Sequence, residues 1–427
     1  MSDNTILPVT SPEEAKLDRE RLELLNKTMQ GYVDDGKVPN MVTLIARGGK
    51  IGHCEVHGYL DIDARKPAGK DAIFRLYSNS KPITGTAVMM LCEEGLLDLD
   101  DPVSKYIPAF KNPVVISSGP PPRNAGPGAM LPLKPAKREI TIRDCLRHTT
   151  GLATPDRTTV RVASQYKDAI EESGWDLATS LDRPPKKTYL ERVEAHAAIP
   201  LNFEPGTDFV YHAGFVVIGV IIEKVTGKTL EEFYRERIFR PLGMNDTSFY
   251  LDESKLDRFT TCYQPSLEGS TWHLVVYDKA ETSEKVKDPK VLFGAGGDMG
   301  GLLSTAVDYA RFGQMLLNEG ELGGVRIISR KSVEIMTANH TGNMTIPMLK
   351  PGFGVGLGVG VYLGTSPDPI MRSPGTFGWG GAAGTTFFVD PCEDLVAICF
   401  TQTFGHLMMP DNFYQEDFER LVYQSLI

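Results

Sequence analysis

The alternation of apolar and polar residues changes character twice along the chain. Near the start, Leu22, Leu25, Met29, Tyr32 and Val33 fall on one face at helical spacing, which predicts an amphipathic helix from Asp18 to a stop at Gly36. The stretch MVTLIARGGKIGHCEVHGYL then reads as two strands about a Gly48-Gly49 turn. Near the other end, GTTFFVDPCEDLVAICFTQT reads as two more strands about Asp390-Pro391. NFYQEDFERLVYQSL reads as an amphipathic helix through Tyr414, Phe418, Leu421 and Val422. Matching material at both ends predicts one antiparallel sheet with the terminal helices on its face.

The middle is different. From about Ile83 to Met244 the periodic segments are helical, with Ile83, Ala87, Met90 and Leu91 on one face and Ile218, Ile221, Ile222 and Val225 on another before a Gly227 stop. Two segments rich in proline and glycine interrupt them, VVISSGPPPRNAGPGAMLPLKPAK and DRPPKKTYLERVEAHAAIPLNFEPG. Long loops of this kind usually carry function or motion. The expected class is α/β (α+β), an antiparallel sheet flanked by helices plus a mostly helical domain. Residues 1–80 with 250–427 are expected to form a discontinuous α/β domain and 81–249 the helical one, with the active site between them.

Composition narrows the functions. The 427 residues are 41% hydrophobic and 23% charged, with a formal net charge of −10. A globular chain of this acidity is not expected to take nucleic acid as its main partner, which needs a concentrated basic face. Lys134, Lys137 and Arg138 are the only basic cluster of note, and they read as a solvated loop. No apolar run reaches the length of a bilayer span, and the first residues lack the basic and apolar regions of a secretory signal, so no membrane partner and a cytoplasmic location are expected. The six cysteines show no CxxC spacing and the eight histidines no HExxH, so neither a metal nor another cofactor is expected.

The chemistry begins at FRLYSNSKPITGTAVMMLCEEGLLDLDDPV. Ser78 and Lys81 are three residues apart, and positions i and i+3 of a helix share a face with their Cβ atoms about 5–6 Å apart. A serine hydroxyl is a weak nucleophile until its proton is removed, and a lysine one turn away can remove it. Pro82 suits the first turn, where its missing N–H had no helical partner. The alternative for Ser78 is a simple helix cap. SxxK is short, and a second copy, Ser164-Gln165-Tyr166-Lys167, precedes no long apolar helix and is set aside. Two further features stand out. Tyr211 sits at the entry to the apolar helix of FEPGTDFVYHAGFVVIGVIIEKVTG, where a core tyrosine is the plain alternative. In GTFGWGGAAGTTFFVDP, Gly380 and Gly381 allow close approach of a backbone to a ligand, or form only a bulge or turn.

The order of these features resembles the serine hydrolases of the class C β-lactamase and penicillin-binding-protein superfamily, and within it the family VIII carboxylesterases. The likeness extends through "LDRERLELLNKTMQGYVDDGKVP", "ITIRDCLRHTTGL", "GFVVIGVIIEKVTGKTLEEFYRERIFRPLGM", "GGLLSTAVDYARFGQMLLN" and "FGWGGAAGTTFFVDP" in the same order. The resemblance implies a β-lactamase-like fold and a serine carboxylesterase acting on short- to medium-chain esters as its small-molecule partner. It implies that Ser78 is acylated, that Lys81 helps to deprotonate it, and that Tyr211 is the general base. The N–H groups of Ser78 and Ala382 would form the oxyanion hole, with Gly380 and Gly381 shaping its strand. Tyr77, Phe377 and Trp379 suggest an apolar substrate pocket.

The chain departs from the superfamily pattern in two places. Ala213 ends Tyr211-His212-Ala213 where an asparagine is usual, and Trp379-Gly380-Gly381 stands where K-T-G is usual. A tryptophan cannot pair with the carboxylate of a β-lactam or peptide, and a neutral ester loses nothing by the change. The alternatives are an acyltransferase using the same acyl-enzyme and a β-lactamase or D-amino-acid peptidase with weak β-lactam activity. A catalytically dead binding protein is disfavoured by the intact Ser78, Lys81 and Tyr211. His340-Thr341-Gly342 mimics K-T-G without a following strand and is read as a decoy. No GxSxG occurs, and the glycine run Gly294–Gly301 lacks the Gly-Lys-Ser/Thr ending of a P-loop. His148, in RHTTGL, is read as structural.

Overall fold

The computed structural model describes residues 7–117, 132–153, 188–287 and 301–427, with Tyr166, Asp168, Ala295 and Gly296. Ser164 and Lys167 of the second SxxK copy and most of the Gly294–Gly301 run lie outside the described residues.

The two ends of the chain meet in one sheet. Strand β1 (Asn40–Arg47) turns through Gly48 and Gly49, at φ 61° and 70°, into β2 (Lys50–Asp61), and β3 (Lys66–Pro67) follows at the edge. Both turn residues need the left-handed conformation that glycine adopts without steric cost. The C-terminal half supplies β4 (Phe353–Val355), β5 (Gly360–Tyr362), β6 (Phe377–Gly380), β7 (Thr386–Asp390) and β8 (Leu395–Phe400). The order is β4-β5-β6-β7-β8-β1-β2-β3, and every pairing is antiparallel. First and last strands join in the register Val42↔Phe400, Leu44↔Ile398 and Ala46↔Val396.

Period-two alternation sends these side chains to two faces. Met41, Ile45, Ala397 and Cys399 pack under helix α1 (Arg19–Asp34), through Leu22, Leu25 and Met29, and under the C-terminal helix, through Phe418, Leu421 and Val422. Val42, Leu44, Ala46 and Val396 face the other way, against Ala306–Leu317. That helix lies so close that a Cβ at Gly313 would come within 2.8 Å of Val396. The same apolar cluster continues into helix α2 (Lys81–Glu93) through Ile83 and Ala87, and into α4 (Ala213–Thr226) through Phe215 and Ile221. Residues 213–222 of α4 are all buried, as expected for a helix that is apolar on every side. Short α3 (Ile142–Leu146) sets its Cys145 carbonyl where a Cβ on Gly214 would be, at 2.4 Å. This is a mixed α/β fold built on one large antiparallel sheet flanked by helices, as expected.

Among the described residues no helix is long and apolar enough to cross a membrane. The basic loop is neutralised locally: Lys134 pairs with Glu204 at 2.9 Å, and Arg138 with the buried Asp144. A largely half-buried hairpin, Cys262–Glu268 with Thr271–Asp278, stands apart from the main sheet and was not evident from the apolar pattern.

Candidate active site

From Ala72 to Lys81 every residue is buried except Ser78. Ser78 lies on the 3-10 turn Tyr77–Ser80 that leads into α2, ahead of the helix itself. The turn is held from several sides. The Leu76 N–H donates to the Leu302 carbonyl at 2.8 Å, the Tyr309 hydroxyl to the Asn79 carbonyl at 2.7 Å, and the Leu302 N–H to Ser80 Oγ at 2.9 Å. Tyr77 holds φ 47°, a costly conformation for a bulky residue. Its ring is turned from the Ser78 side into a small cluster with Cys262 and Ala383, 5.5 Å from Phe404. Tyr77 is not itself on the lining of the cavity described below, although Phe404, against which it packs, is.

Lys81 is fully buried and its Nζ reaches three acceptors. Ser78 Oγ is at 3.0 Å, His212 Nδ1 at 3.2 Å, and the Gly296 carbonyl completes the set. Tyr211 meets Lys81 through its ring face, with Nζ 4.6 Å from the centroid. The Tyr211 hydroxyl accepts the indole N–H of Trp379 at 3.0 Å, and the two rings stack at 5.9 Å. Trp379 is thus a hydrogen-bond donor to the tyrosine as well as an apolar wall. The structure brings Ser78, Lys81, Tyr211 and Trp379 together from three separate segments.

The oxyanion side is built by close approach. Gly380 ends β6 and Gly381 follows it. The Gly381 N–H donates to the Thr385 carbonyl at 2.6 Å, and Thr385 Oγ1 donates to the Leu76 carbonyl at 3.0 Å, so the end of β6 is tied to the Ser78 turn. Neither the Ser78 nor the Ala382 N–H finds a partner among the described residues. Two unspent donors beside a serine hydroxyl suit an anion that forms during reaction.

Two histidines also stand at the site, His148, which the sequence reads as structural, and His212, to which it gives no role. His148, at φ 64°, is buried with its ring 4.7 Å from that of Tyr211 and 5.1 Å from Phe215. Burial pushes it well below the ordinary histidine range, so it is neutral. Its Nδ1 accepts the His212 N–H at 3.2 Å, which leaves its proton on Nε2. His212 adopts φ 77° and ψ −52°, and the Ala213 N–H donates back to the Tyr211 carbonyl at 3.0 Å. That is a γ-turn with positive φ, a conformation strained by about 1–3 kcal/mol. Tyr77, His148 and His212 put three left-handed non-glycine residues at one site. Tyr77 and His212 adjoin Ser78 and Tyr211 in the motifs, whereas His148 is 63 residues from Tyr211 in the chain.

These groups adjoin a cavity of about 530 Å³. Ser78, Tyr211, Trp379 and Gly380–Ala382 line it, with apolar walls from Phe377, Phe353, Leu349, Met348, Leu407 and Met408. Arg372, Gln415 and Glu419 make a polar section of the lining. Arg372 is held by Asp368 at 2.9 and 3.0 Å and by Glu419. His340-Thr341-Gly342 is not on the lining: Thr341 Oγ1 accepts the Val355 N–H at 3.1 Å. Among the described residues no three His, Cys, Asp or Glu side chains gather as a metal site requires, and all six cysteines are free.

Comparison with known proteins settles the kinship. The family model described as Beta-lactamase matches residues 25–418, which is most of the chain. The chain belongs to the beta-lactamase family. Within that family of serine hydrolases it is 32% identical over 378 residues to Protein Rv1367c of Mycobacterium tuberculosis, covering 86% of this chain and 87% of that protein. Among solved structures it is similar in fold to "EstCE1, a hydrolase with promiscuous acyltransferase activity", at 24% identity and TM-score 0.73, covering 95% of this chain and 99% of that one. It is also similar to the simvastatin synthase LovD from Aspergillus terreus, at 20% identity and TM-score 0.73, covering 94% and 98%. Those two likenesses establish the beta-lactamase fold alone.

Proposed function

We propose that the protein is a carboxylic-ester hydrolase working through an acyl-enzyme on Ser78. The observation that carries this reading is the 3.0 Å contact between the one unburied side chain of residues 72–81 and a fully buried lysine amine, beside a largely apolar cavity. Ser78 Oγ loses its proton to Lys81 and bonds to the ester carbonyl carbon. The carbonyl oxygen takes the negative charge and accepts the N–H groups of Ser78 and Ala382, a stabilisation of about 3–4 kcal/mol per donor where such holes have been dissected. The ester C–O bond then breaks, and the departing alkoxide takes the proton from Lys81. Water retraces the path: it gives a proton to Lys81, attacks the acyl carbon, and Ser78 leaves reprotonated, with the Tyr211 hydroxyl on the same lining. The Trp379 N–H holds Tyr211 Oη in place there.

Two features favour an ester over a β-lactam or a peptide carboxylate. Trp379 brings no charge to the position where a lysine would pair with a carboxylate. Arg372, a cation on the lining, is already bound by Asp368 and Glu419. Acyl transfer is the second reading, favoured by a cavity with room for an acceptor alcohol beside a short acyl group.

The test is hydrolysis of p-nitrophenyl butyrate by wild type and Ser78→Ala, with nitrocefin alongside. The expected result is turnover of the butyrate, little of nitrocefin, and a loss of about a thousandfold or more in Ser78→Ala, as nucleophile removal causes elsewhere. Retained activity in Ser78→Ala would reduce Ser78 to a structural turn residue.

A further inference from the structure

The proposed roles of Ser78, Lys81 and Tyr211 leave the largest backbone distortion of the site unexplained. His212 holds φ 77°, the highest positive φ of any described residue other than glycine. It immediately precedes α4, yet its side chain makes no capping bond to that helix. The ring is instead directed at Lys81, with Nδ1 3.2 Å from Nζ. It is fixed there from two sides. Its backbone N–H is held by His148 Nδ1, and the Gly296 backbone lies so close that a Cβ there would be 3.0 Å from His212 Cε1. Gly296 also supplies the carbonyl that Lys81 uses.

We propose that His212 is a positioning residue that sets the orientation of the Lys81 amine. This rests on the reading of Ser78 as nucleophile and Lys81 as its base. A neutral lysine amine has two N–H bonds and one lone pair in tetrahedral array. His212 Nδ1 accepts one N–H and the Gly296 carbonyl accepts the other. The remaining direction is the one on Ser78 Oγ, at 3.0 Å, so the lone pair faces the hydroxyl proton. After the transfer the third N–H of the ammonium points where the proton must be returned. For this the imidazole carries its own proton on Nε2, leaving Nδ1 as acceptor. Without His212, the Gly296 carbonyl is the one hydrogen-bond acceptor left to Nζ besides Ser78 among the described residues, and rotation about its terminal bond turns the lone pair away from Ser78. Ala213, the last residue of the Tyr-x-Asn-like motif, has no polar side chain, so this contact comes from its neighbour. The γ-turn at His212 brings the imidazole there, and packing alone needs no such backbone.

The experiment compares His212→Gly and His212→Asn with wild type in burst-phase acylation by p-nitrophenyl butyrate, with KM and melting temperature recorded. Glycine accepts the backbone conformation and removes the acceptor. Asparagine tolerates left-handed backbone and offers Oδ1 as a replacement acceptor. Acylation by His212→Gly is expected to slow by about 10- to 100-fold, the size seen when a group that orients a reacting one is lost, with KM little moved. His212→Asn is expected to recover most of that loss. Wild-type acylation by a folded His212→Gly, or a folded His212→Asn no faster than it, overturns the proposal. Ser78→Ala separates the two readings. If that variant stays active, the nucleophile assignment fails; if it is inactive while His212→Gly is unimpaired, only the role of His212 fails.

Discussion

An added Cβ at Gly381 would lie 2.2 Å from Thr385 Oγ1 and 2.3 Å from the Leu76 carbonyl, two residues before Ser78. Real Cβ atoms do not sit so close, so Gly381→Ala must push the end of β6 off the Ser78 turn and move the Ala382 N–H with it. Gly380 has its nearest neighbour, the Thr385 carbonyl, at 3.6 Å, an ordinary contact. The pair makes a clean comparison. Gly381→Ala is expected to cost about 1–3 kcal/mol of stability, typical of overpacking, and to depress kcat. Gly380→Ala is expected to keep the melting temperature of wild type and to alter KM, because its methyl enters the cavity. Equal melting temperatures for the two variants would show that the approach of β6 to Leu76 does not constrain the fold. The sequence made these glycines visible as a pair, and the structure separates them. In the same way Ser78, Lys81 and Tyr211 were legible from motif order, whereas the Lys81 contacts to His212 and Gly296 span 131 and 215 residues of chain. A backbone carbonyl has no signature in a sequence, and nothing in the spacing of Tyr-His-Ala announces a positive φ at the histidine.

At the level of elements, α3 shows how charge holds a short helix where the site needs it. Five residues cannot sustain a helix by themselves. Thr141 and Asp144 form a reciprocal cap, and Asp144 also takes Arg138 and Arg147, the latter at 2.9 Å. The helix ends just before His148, which stands against Tyr211 and His212. Burial alone would raise the Asp144 carboxyl, but hydrogen bonds from Arg138, Arg147 and the Thr141 N–H outweigh it and bring it down to about 2, from an ordinary 3.8. The sign follows from linkage. A carboxyl depressed on folding stabilises the protein fully above its unfolded value, and that contribution is lost as pH falls from about 4 through about 2. Its size is about 2 kcal/mol. Asp144→Asn is therefore expected to be less stable than wild type at pH 7, with the gap narrowing as denaturation is repeated from pH 5 down to pH 3. A gap independent of pH would mean that the carboxylate charge contributes nothing. The long elements were readable because an amphipathic helix or alternating strand repeats its pattern: α1, the β1–β2 hairpin and the terminal helix all fall where the apolar spacing placed them. Short α3 was not predicted, since five residues carry too little periodicity to read and its hold comes from a local cap, the flanking Arg138 and Arg147, and the close approach of Gly214.

For the molecule as a whole, the question is how much substrate the site can enclose. At about 30 Å³ per water-sized group, the 530 Å³ cavity holds roughly 18 such groups. A nitrophenyl ester of medium chain length has about that many heavy atoms, and a palmitate ester well exceeds it. The walls are mostly apolar, so each methylene that finds room is worth about 0.8 kcal/mol, or about fourfold in kcat/KM if the burial is kept in the transition state. From acetate to hexanoate and octanoate the specificity constant is expected to climb at about that rate, then fall at palmitate, where the chain must leave the cavity past Leu407 and Met408. These two residues are 80% and 64% exposed, and they sit on the lining with the less exposed Met348. A longer chain gains from them only a surface contact, with one side still in water. A series of p-nitrophenyl esters measured at subsaturating substrate decides the matter. A profile that peaks at medium length fits a closed volume reached from Ser78. A constant that keeps rising through palmitate would instead make the exposed rim part of the binding site, and a flat profile would remove the apolar walls from substrate selection altogether.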